Sequence, residues 1–279
     1  MQQDFISVIF TTYNQPKWLE KVLWGYECQT HKNFEIVIAD DGSKNETERV
    51  IKSFIKKGSL NIKHIWHPDE GYQKCTILNK AIAASKSNYL IFSDGDCVPR
   101  KDFIEEHLKQ REPGYFLSGG AIRLPLKLSH YINKKEIYSQ KAFNINWATK
   151  NGLTKNIKST KLIQNKFFSK LMNTITPAKA TWNGGNASTW RRHIEKINGF
   201  NEEMLYGGQD REFGERLFNY GLKSKQIRHT AICLHLEHGR LYKTKKSIQK
   251  NKKIRAEIKK RKNIYTNKGL HKYINNKNQ

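Results

Sequence analysis

The sequence predicts an α/β fold, a doubly wound and mostly parallel central sheet flanked by helices. Over residues 5–100, short apolar runs alternate with amphipathic segments in the order strand, helix, strand, helix. That order places parallel strands side by side with helices packed on their faces. The run Tyr89-Leu90-Ile91-Phe92 is bounded by Gly95 and Pro99 and reads as a short buried strand. It runs out into Asp94-Gly95-Asp96, so two carboxylates one residue apart sit at the sheet edge where open α/β sheets bind ligands.

The elements follow in order. Phe5–Phe10 (FISVIF) reads as a buried first strand, followed by the turn Tyr13-Asn14-Gln15-Pro16. A helix is expected from about Lys17 to Cys28, with Trp18, Val22 and Tyr26 on one face. Phe34–Ala39 (FEIVIA) is a second strand ending in Asp40-Asp41-Gly42-Ser43. A helix over roughly Glu46–Lys56, a short strand Ile62–Trp66 and a helix Cys75–Ala84 lead to the strand that carries the two carboxylates. Beyond Pro99 the pattern loosens. Phe116–Gly120 suggests another strand, and the Lys/Asn-rich stretch from about Lys127 to Lys170 mixes helix with surface loop. Small residues cluster at Trp182-Asn183-Gly184-Gly185-Asn186-Ala187 and at Gly207-Gly208-Gln209-Asp210, the latter opening a helix to about Tyr220. Ile227–His238 is expected as a strand carrying His235 and His238. From Lys243 onward Glu257 is the only acid, and Ile248, Ile254 and Ile258 give a sparse apolar stripe. That tail is expected to be a solvated or membrane-facing helix.

Bulk properties narrow the partners. The 279 residues carry 51 Lys+Arg against 25 Asp+Glu, a formal net charge of +26. A field of that sign attracts polyanions such as anionic lipid headgroups, phosphorylated glycans or nucleic acid. No apolar stretch reaches the roughly 20 residues that span a bilayer. The N-terminus shows no basic region followed by an apolar core, so no secretory leader is expected. Cys28, Cys75, Cys97 and Cys233 lie far apart without a Cys-x-x-Cys pair, which points to reduced thiols and a cytoplasmic protein. Carboxylate oxygens at Asp94 and Asp96 suit a hard divalent cation, and such a cation suits a diphosphate.

Taken together, these residues resemble a family 2 inverting glycosyltransferase of the GT-A fold, from Ser7 to about Arg240. The family's opening turn corresponds to Thr11-Thr12-Tyr13-Asn14, its second-strand turn to Asp40-Asp41-Gly42-Ser43, and its metal motif to Asp94-Gly95-Asp96. Lys74 and Asn79 match the Lys/Arg and Asn on the preceding helix. Trp182 to Asn186 and Gly207 to Gly214 resemble the acceptor-side module of galactosyltransferase-like members. The resemblance implies a donor-binding half over 1–100, an acceptor-binding and catalytic half over 101–242, and a basic helical extension over 243–279.

It also implies roles. A UDP-sugar would be held by Thr11, Thr12, Tyr13, Asn14, Asp41, Lys74, Asn79, Asp94, Gly95 and Asp96, with Asp41 accepting from the uracil ring N–H. Mn²⁺ or Mg²⁺ would be bound by Asp96, with Asp94 nearer the ribose or a metal-bound water. A late strand often supplies a further ligand, here His235 or His238. Residues three apart on a strand face opposite sides, so only one is expected to face the metal, and His235 directly follows the apolar run. Asp210 matches the base that takes the acceptor proton opposite the leaving group. Trp182, Asn183, Gly184, Gly185, Gln209 and Arg211 would line the acceptor and sugar side, the glycines letting backbone approach sugar and diphosphate closely. Gln209 stands where the family often has Glu.

The expected reaction transfers a hexose or N-acetylhexosamine to a hydroxyl of a bacterial surface glycan precursor, in lipopolysaccharide or capsule. The acceptor is expected to be an anionic glycan or a lipid-linked one. The protein is expected to lie peripherally on the inner face of the cytoplasmic membrane. A nucleic-acid-binding role would leave Asp94, Asp96 and Asp210 unexplained, and no nucleic-acid motif is evident. A sugar-phosphate nucleotidyltransferase would want a Gly-rich basic loop after the first strand, which Thr11 to Pro16 is not.

Overall fold

The computed structural model describes residues 4–177, 179–239 and 244–275. Arg240, Lys243 and Gln279, which bound the expected resemblance and tail, lie outside them. Within the first half the elements are β1 (Ile6–Thr12), α1 (Pro16–Glu27), β2 (Phe34–Asp40), α2 (Asn45–Lys57), β3 (Ile62–Trp66), α3 (Lys74–Ala84), β4 (Tyr89–Asp94) and β5 (Cys97–Pro99). There follow α4 (Phe103–Gln110), β6 (Tyr115–Arg123), α5 (Leu126–Tyr131), α6 (Lys134–Tyr138) and α7 (Ile145–Lys150). After a 3₁₀ turn at Ile157–Leu162 come α8 (Lys166–Ile175), β7 (Asn186–Trp190), α9 (Arg191–Lys196), α10 (Gln209–Asn219), β8 (Lys223–His235), α11 (Lys245–Arg261) and α12 (His271–Asn275).

The strands form one sheet in the order β3-β2-β1-β4-β7-β6-β8-β5. Pairs β1–β2, β1–β4, β2–β3 and β6–β8 are parallel, whereas β4–β7, β6–β7 and β5–β8 are antiparallel. Strands β1, β2 and β4 are apolar on both sides because both faces are covered. Val8, Phe10, Ile36, Ile38 and Ile91 pack against Trp18, Leu19, Val22 and Tyr26 of α1. The alternate residues Ile9, Val37, Ala39, Leu90 and Phe92 pack against Ile77, Leu78, Ala81 and Ile82 of α3. Parallel register sets Thr11 beside Asp94 and Thr12 beside Asp40, so the ends of three strands open into one cleft.

Two departures from the sequence reading matter for the site. The first is in β8, which starts at Lys223, ends at His235, and is interrupted. Gly119 pairs with Ile227 but Gly120 pairs with Ile232, so residues 228–231 bulge out of register. Neither glycine could carry a side chain there. A Cβ on Gly120 would lie 2.0 Å from the Arg228 carbonyl oxygen, and one on Gly119 would lie 1.9 Å from Asn186 Oδ1. Asn186 is fully buried and ties the bulge down, donating from Nδ2 to Gly120 O and Ala231 O while accepting from His107 Nε2.

The second departure is the tail, whose apolar stripe faces the protein rather than solvent or membrane. Ile258 is buried, Ile254 packs against the α3 side of the core, and Ile248 approaches Gly207. Arg255 forms a two-pronged ion pair with Glu215 of α10. Fully buried Asn251 accepts from Leu205 N and donates to Leu205 O and Gly207 O, at 3.1, 2.7 and 2.8 Å. The extension therefore holds the loop that leads into α10. Asn251→Ala leaves these backbone groups unpaired in a buried position and is expected to cost about 1–3 kcal/mol. Urea unfolding of the two proteins checks this.

Candidate active site

The cleft has a volume of about 1220 Å³ and is lined by the strand-end turns on one side and by β6, the 3₁₀ turn and α10 on the other. Chain geometry explains the turns. Gly95 N donates to Thr11 O at 2.7 Å, and a Cβ at Gly95 would press to 2.8 Å from that oxygen. Thr11 Oγ1 donates to Asp94 Oδ1. Asn14, at φ 48°, locks the opening turn to the second one, its N–H donating to Ser43 Oγ and its Oδ1 accepting from Lys44 N. Tyr13 donates its hydroxyl proton to Asp69 at the rim. Thr12 Oγ1 is buried without a partner. Asp40 is scaffold, accepting from Ser43 N and His64.

Asp41 lines the cleft and is oriented from below. His67 Nε2 donates to Asp41 Oδ1 at 2.8 Å and Gln73 N to Oδ2 at 3.0 Å, while His67 Nδ1 accepts from Lys80. Burial raises the Asp41 carboxyl above its ordinary pKa, and His67 offsets part of that shift.

Asp94 and Asp96 point to different partners. Lys74 Nζ donates to Asp94 Oδ1 at 2.7 Å. Burial opposes the Lys74 charge, yet Asp94, Tyr72 and Asp210 together hold its pKa well above the ordinary lysine value. Asp96 Oδ2 lies 2.7 Å from His238 Nε2 and 3.6 Å from His235 Nε2. Burial favours a neutral Asp96, but the His238 hydrogen bond and the two imidazoles pull its pKa below the ordinary value. The expectation that only one histidine faces this carboxylate is corrected: β8 ends at His235, so His238 is off the strand and turns back, its ring nearly parallel to that of His235.

This cradle fits a divalent cation. Ligand atoms of Asp96, Cys97 and His235 lie within 4.8 Å of one another, and His235 Nδ1 is buried without a partner. Cys97 is held as a thiol, its pKa raised well above the ordinary value by a hydrogen bond with Cys233 and by burial. The carboxylate and imidazole donors of Asp96 and His235 suit an oxygen- and imidazole-binding divalent ion. Antiparallel pairing of β5 and β8 brings Cys97 and Cys233, far apart in sequence, near each other. All four remain free thiols.

Across the cleft, Asp210 sits in the first turn of α10, and its Oδ1 is buried with no hydrogen-bond partner. Burial raises its pKa, the Lys74 charge lowers it and Asp94 raises it further, leaving it above the ordinary carboxyl value. The glycine pair makes room for carboxylates rather than only for ligand. A Cβ on Gly184 would come 2.5 Å from Asp210 Oδ1, and one on Gly185 would come 2.9 Å from Asp94 Oδ2. Asn183 and Arg211 also line the cleft.

Two expected contacts are scaffold instead, and a third, Gln209, lines the cleft with its amide already held. Asn79 is fully buried, donating to Phe200 O and Glu202 and accepting from Phe200 N, so it fixes the 198–202 loop and not a nucleotide. The Trp182 ring is 1% exposed and packs among Phe92, Phe116 and Phe213, which leaves no face for stacking on a sugar. Gln209 spends its amide on Tyr72 Oη and Gly207 N. Tyr72, Tyr206, Arg123, Lys158, Lys161 and Arg228, none expected from sequence, do line the cleft. The aromatic pair Tyr72–Tyr206 meets edge to face at 5.7 Å. A Gly-Tyr step at residues 71–72 just before Lys74 is the one signal that could have found Tyr72.

Comparison with known proteins agrees with this geometry. The sequence profile for glycosyl transferase family 2 matches residues 7–182, and that for the N-terminal domain of galactosyltransferase matches residues 172–239. Chondroitin synthase from Escherichia coli is 29% identical over 266 residues, covering 89% of this chain and 37% of its own length. Hyaluronan synthase from Pasteurella multocida is 25% identical over 244 residues, covering 80% of this chain and 24% of its own. The chain thus spans about a quarter to two-fifths of these relatives. Among solved structures, S. aureus TarS in complex with UDP-GlcNAc gives a TM-score of 0.57 at 13% identity, covering 86% of this chain and 60% of that one. A Pyrobaculum calidifontis mannosyltransferase in complex with GDP-Man and Mn²⁺ gives 0.56 at 16% identity, with 85% and 58% covered.

Because the Gly184 site abuts Asp210 with no room for a methyl group, Gly184→Ala must displace that carboxylate or the strand entry beside it. A misplacement of this size is expected to lower turnover on the order of 10²-fold while nucleotide affinity stays within about twofold. Steady-state kinetics beside nucleotide titration checks this.

Proposed function

The chain belongs to glycosyl transferase family 2, and on that premise we propose that it transfers a hexose or N-acetylhexosamine from a UDP-sugar to a glycan hydroxyl, with inversion and with Asp210 as base. The observation that carries this reading is that Asp210, whose buried Oδ1 has no hydrogen-bond partner among the described residues, lines the same cleft as Asp94 and Asp96. An acceptor hydroxyl is a weak nucleophile until its proton is withdrawn, so a desolvated carboxylate opposite the leaving group is the group the reaction needs. A divalent cation held by Asp96 with His235 and His238 would neutralise charge on the departing diphosphate. The residues of the chain do the rest. Lys74 contributes fixed positive charge between the two carboxylates, Asp41 offers an acceptor for a base N–H, and Thr11 to Asn14 shape the nucleotide turn.

The acceptor in this reading is a surface polysaccharide precursor, capsule or lipopolysaccharide, reached at the inner face of a bacterial membrane. The names of the relatives support the polysaccharide, being chondroitin and hyaluronan synthases. For the membrane, support comes from α8 rather than from the tail. Phe167, Leu171 and Ile175 recur on one face of α8 and are 79%, 45% and 57% exposed, with exposed Lys166 and Lys170 flanking them. An apolar stripe edged by lysines complements an anionic headgroup layer. No helix among the described residues is long and apolar enough to cross a membrane.

Asp210→Asn is expected to bind UDP like the parent and to lose transfer by roughly 10²–10⁴-fold. In the parent, the raised Asp210 pKa means that the base is protonated, and turnover lost, at a pH above the ordinary value of 3.8 as acid is added. The acid limb of kcat against pH reads this, and transfer by the Asn variant at the parental rate would place the base elsewhere. The paired change Phe167→Ser and Leu171→Ser is expected to weaken sedimentation with anionic vesicles at least tenfold, since each buried aromatic or leucine contributes about 1.5–3 kcal/mol. Unchanged sedimentation would assign membrane contact to another face.

A further inference from the structure

The acceptor wall of the cleft is lined by cations that lack acidic partners. Arg123 stands at the end of β6, Lys158 and Lys161 on the 3₁₀ turn, Arg228 on the β8 bulge and Arg211 beside Asp210. Among the described residues none of the five forms an ion pair, whereas cations elsewhere do, such as Lys74 with Asp94, Arg111 with Asp4 and Arg255 with Glu215. Protein contacts to these heads are sparse: Lys161 Nζ donates to Ala121 O at 3.3 Å and Arg228 to Lys179 O at 3.2 Å. Lys161 lies close enough to Arg228 and Lys158 to be repelled by them, and Arg228 to Arg211. Burial chiefly, then Arg228 and Lys158, lowers the Lys161 pKa, and burial with Arg211 lowers that of Arg228.

Holding the half-buried Lys161 and Arg228 beside like charges is unfavourable unless an anion joins them, and a cluster of one sign focuses its field on whatever enters. The construction is specific. Arg228 is there because four residues of β8 leave register at two glycines that admit no side chain, and Asn186 secures that bulge. In the transferase reading the donor's diphosphate already has Lys74 and the Asp96 cradle, which only Arg123 of the five borders, being paired in register with His235. A neutral glycan would leave the acceptor-side charges uncompensated.

We propose that Arg228, Lys161, Lys158, Arg211 and Arg123 form a subsite for the carboxylate or phosphate of an anionic sugar residue, next to the hydroxyl that reacts. This rests on the transferase reading above. The anion could belong to the acceptor chain or to the donor sugar, and the chemistry of recognition is the same.

The test is calorimetry on the full chain with Mn²⁺, in the parent and in the Arg228→Gln, Lys161→Gln double variant, with equal thermal unfolding as the check on folding. The probes are UDP, UDP-glucuronate against UDP-glucose, and, with UDP present, a glucuronate-terminated oligosaccharide against its carboxyl-reduced counterpart. The parent is expected to prefer the charged member of one pair by roughly ten- to a hundredfold, the range for hydrogen bonds to a charged group. The preferring pair identifies whether the anion is the donor's or the acceptor's. The double variant is expected to lose that preference while UDP affinity stays within about twofold, and Arg228→Lys is expected to keep part of it. Equal binding of charged and neutral members in both pairs, with UDP still bound, overturns the subsite and leaves the transferase reading standing. UDP affinity lost in the double variant also overturns it, because the wall would then serve the diphosphate. Failure of the parent to bind UDP removes the transferase reading and the subsite with it.

Discussion

The Lys74 ammonium, 2.7 Å from Asp94 and within the field of Asp210, allows two carboxylates from distant parts of the chain to share one cleft. Without it their repulsion would add to the cost of burial, and at least one would take up a proton. The surrounding design follows from that constraint. Gly184 and Gly185 are bare because Asp210 and Asp94 press against them. Asp96 is drawn away from the pair toward His235 and His238, which separates the proposed ion-binding pole from the proposed proton-accepting one. Three carboxylates within a few residues of one another in space thus acquire three different environments.

Asp210, the proposed base, remains only partly compensated. Burial outweighs the nearby Lys74 charge and raises its pKa, and a carboxylate so raised is a stronger base. Rigid support has to come from elsewhere. Asn251 of the C-terminal extension ties down Leu205 and Gly207, Gln209 ties to Tyr72, and buried Arg216 pairs with Glu212 one turn along α10 while donating to Ile197 O and Gly199 O. The basic tail therefore braces the loop that leads into the helix of Asp210, although the sequence predicts a solvated or membrane-facing helix.

What the sequence made legible was local. Strands β1, β2 and β4 are apolar runs ending in polar turns, and Thr11 to Asn14, Asp41, Lys74, Asp94, Asp96 and Asp210 all line the cleft. What it hid depends on partners far along the chain. Asn79 looked like a ligand contact because its partners, Phe200 and Glu202, lie more than a hundred residues away. Trp182 beside two glycines looked like a platform until three phenylalanines from different elements enclosed it. His238 could not be placed because the end of β8 is set by its pairing with β5 and β6. Arg228 was silent for the same reason: a bulge leaves no periodic trace, and the Gly119-Gly120 step that permits it sits on the neighbouring strand.

The measurement closest to the central claim is calorimetric titration of the chain with UDP, with and without Mn²⁺. If the cleft is a metal-assisted nucleotide-sugar site, UDP binds with micromolar affinity in Mn²⁺ and far more weakly without it, and Asp96→Asn abolishes the difference. UDP affinity that is absent under both conditions, or that Mn²⁺ leaves unchanged, would contradict the assignment of Asp96 and its histidines to the diphosphate pole.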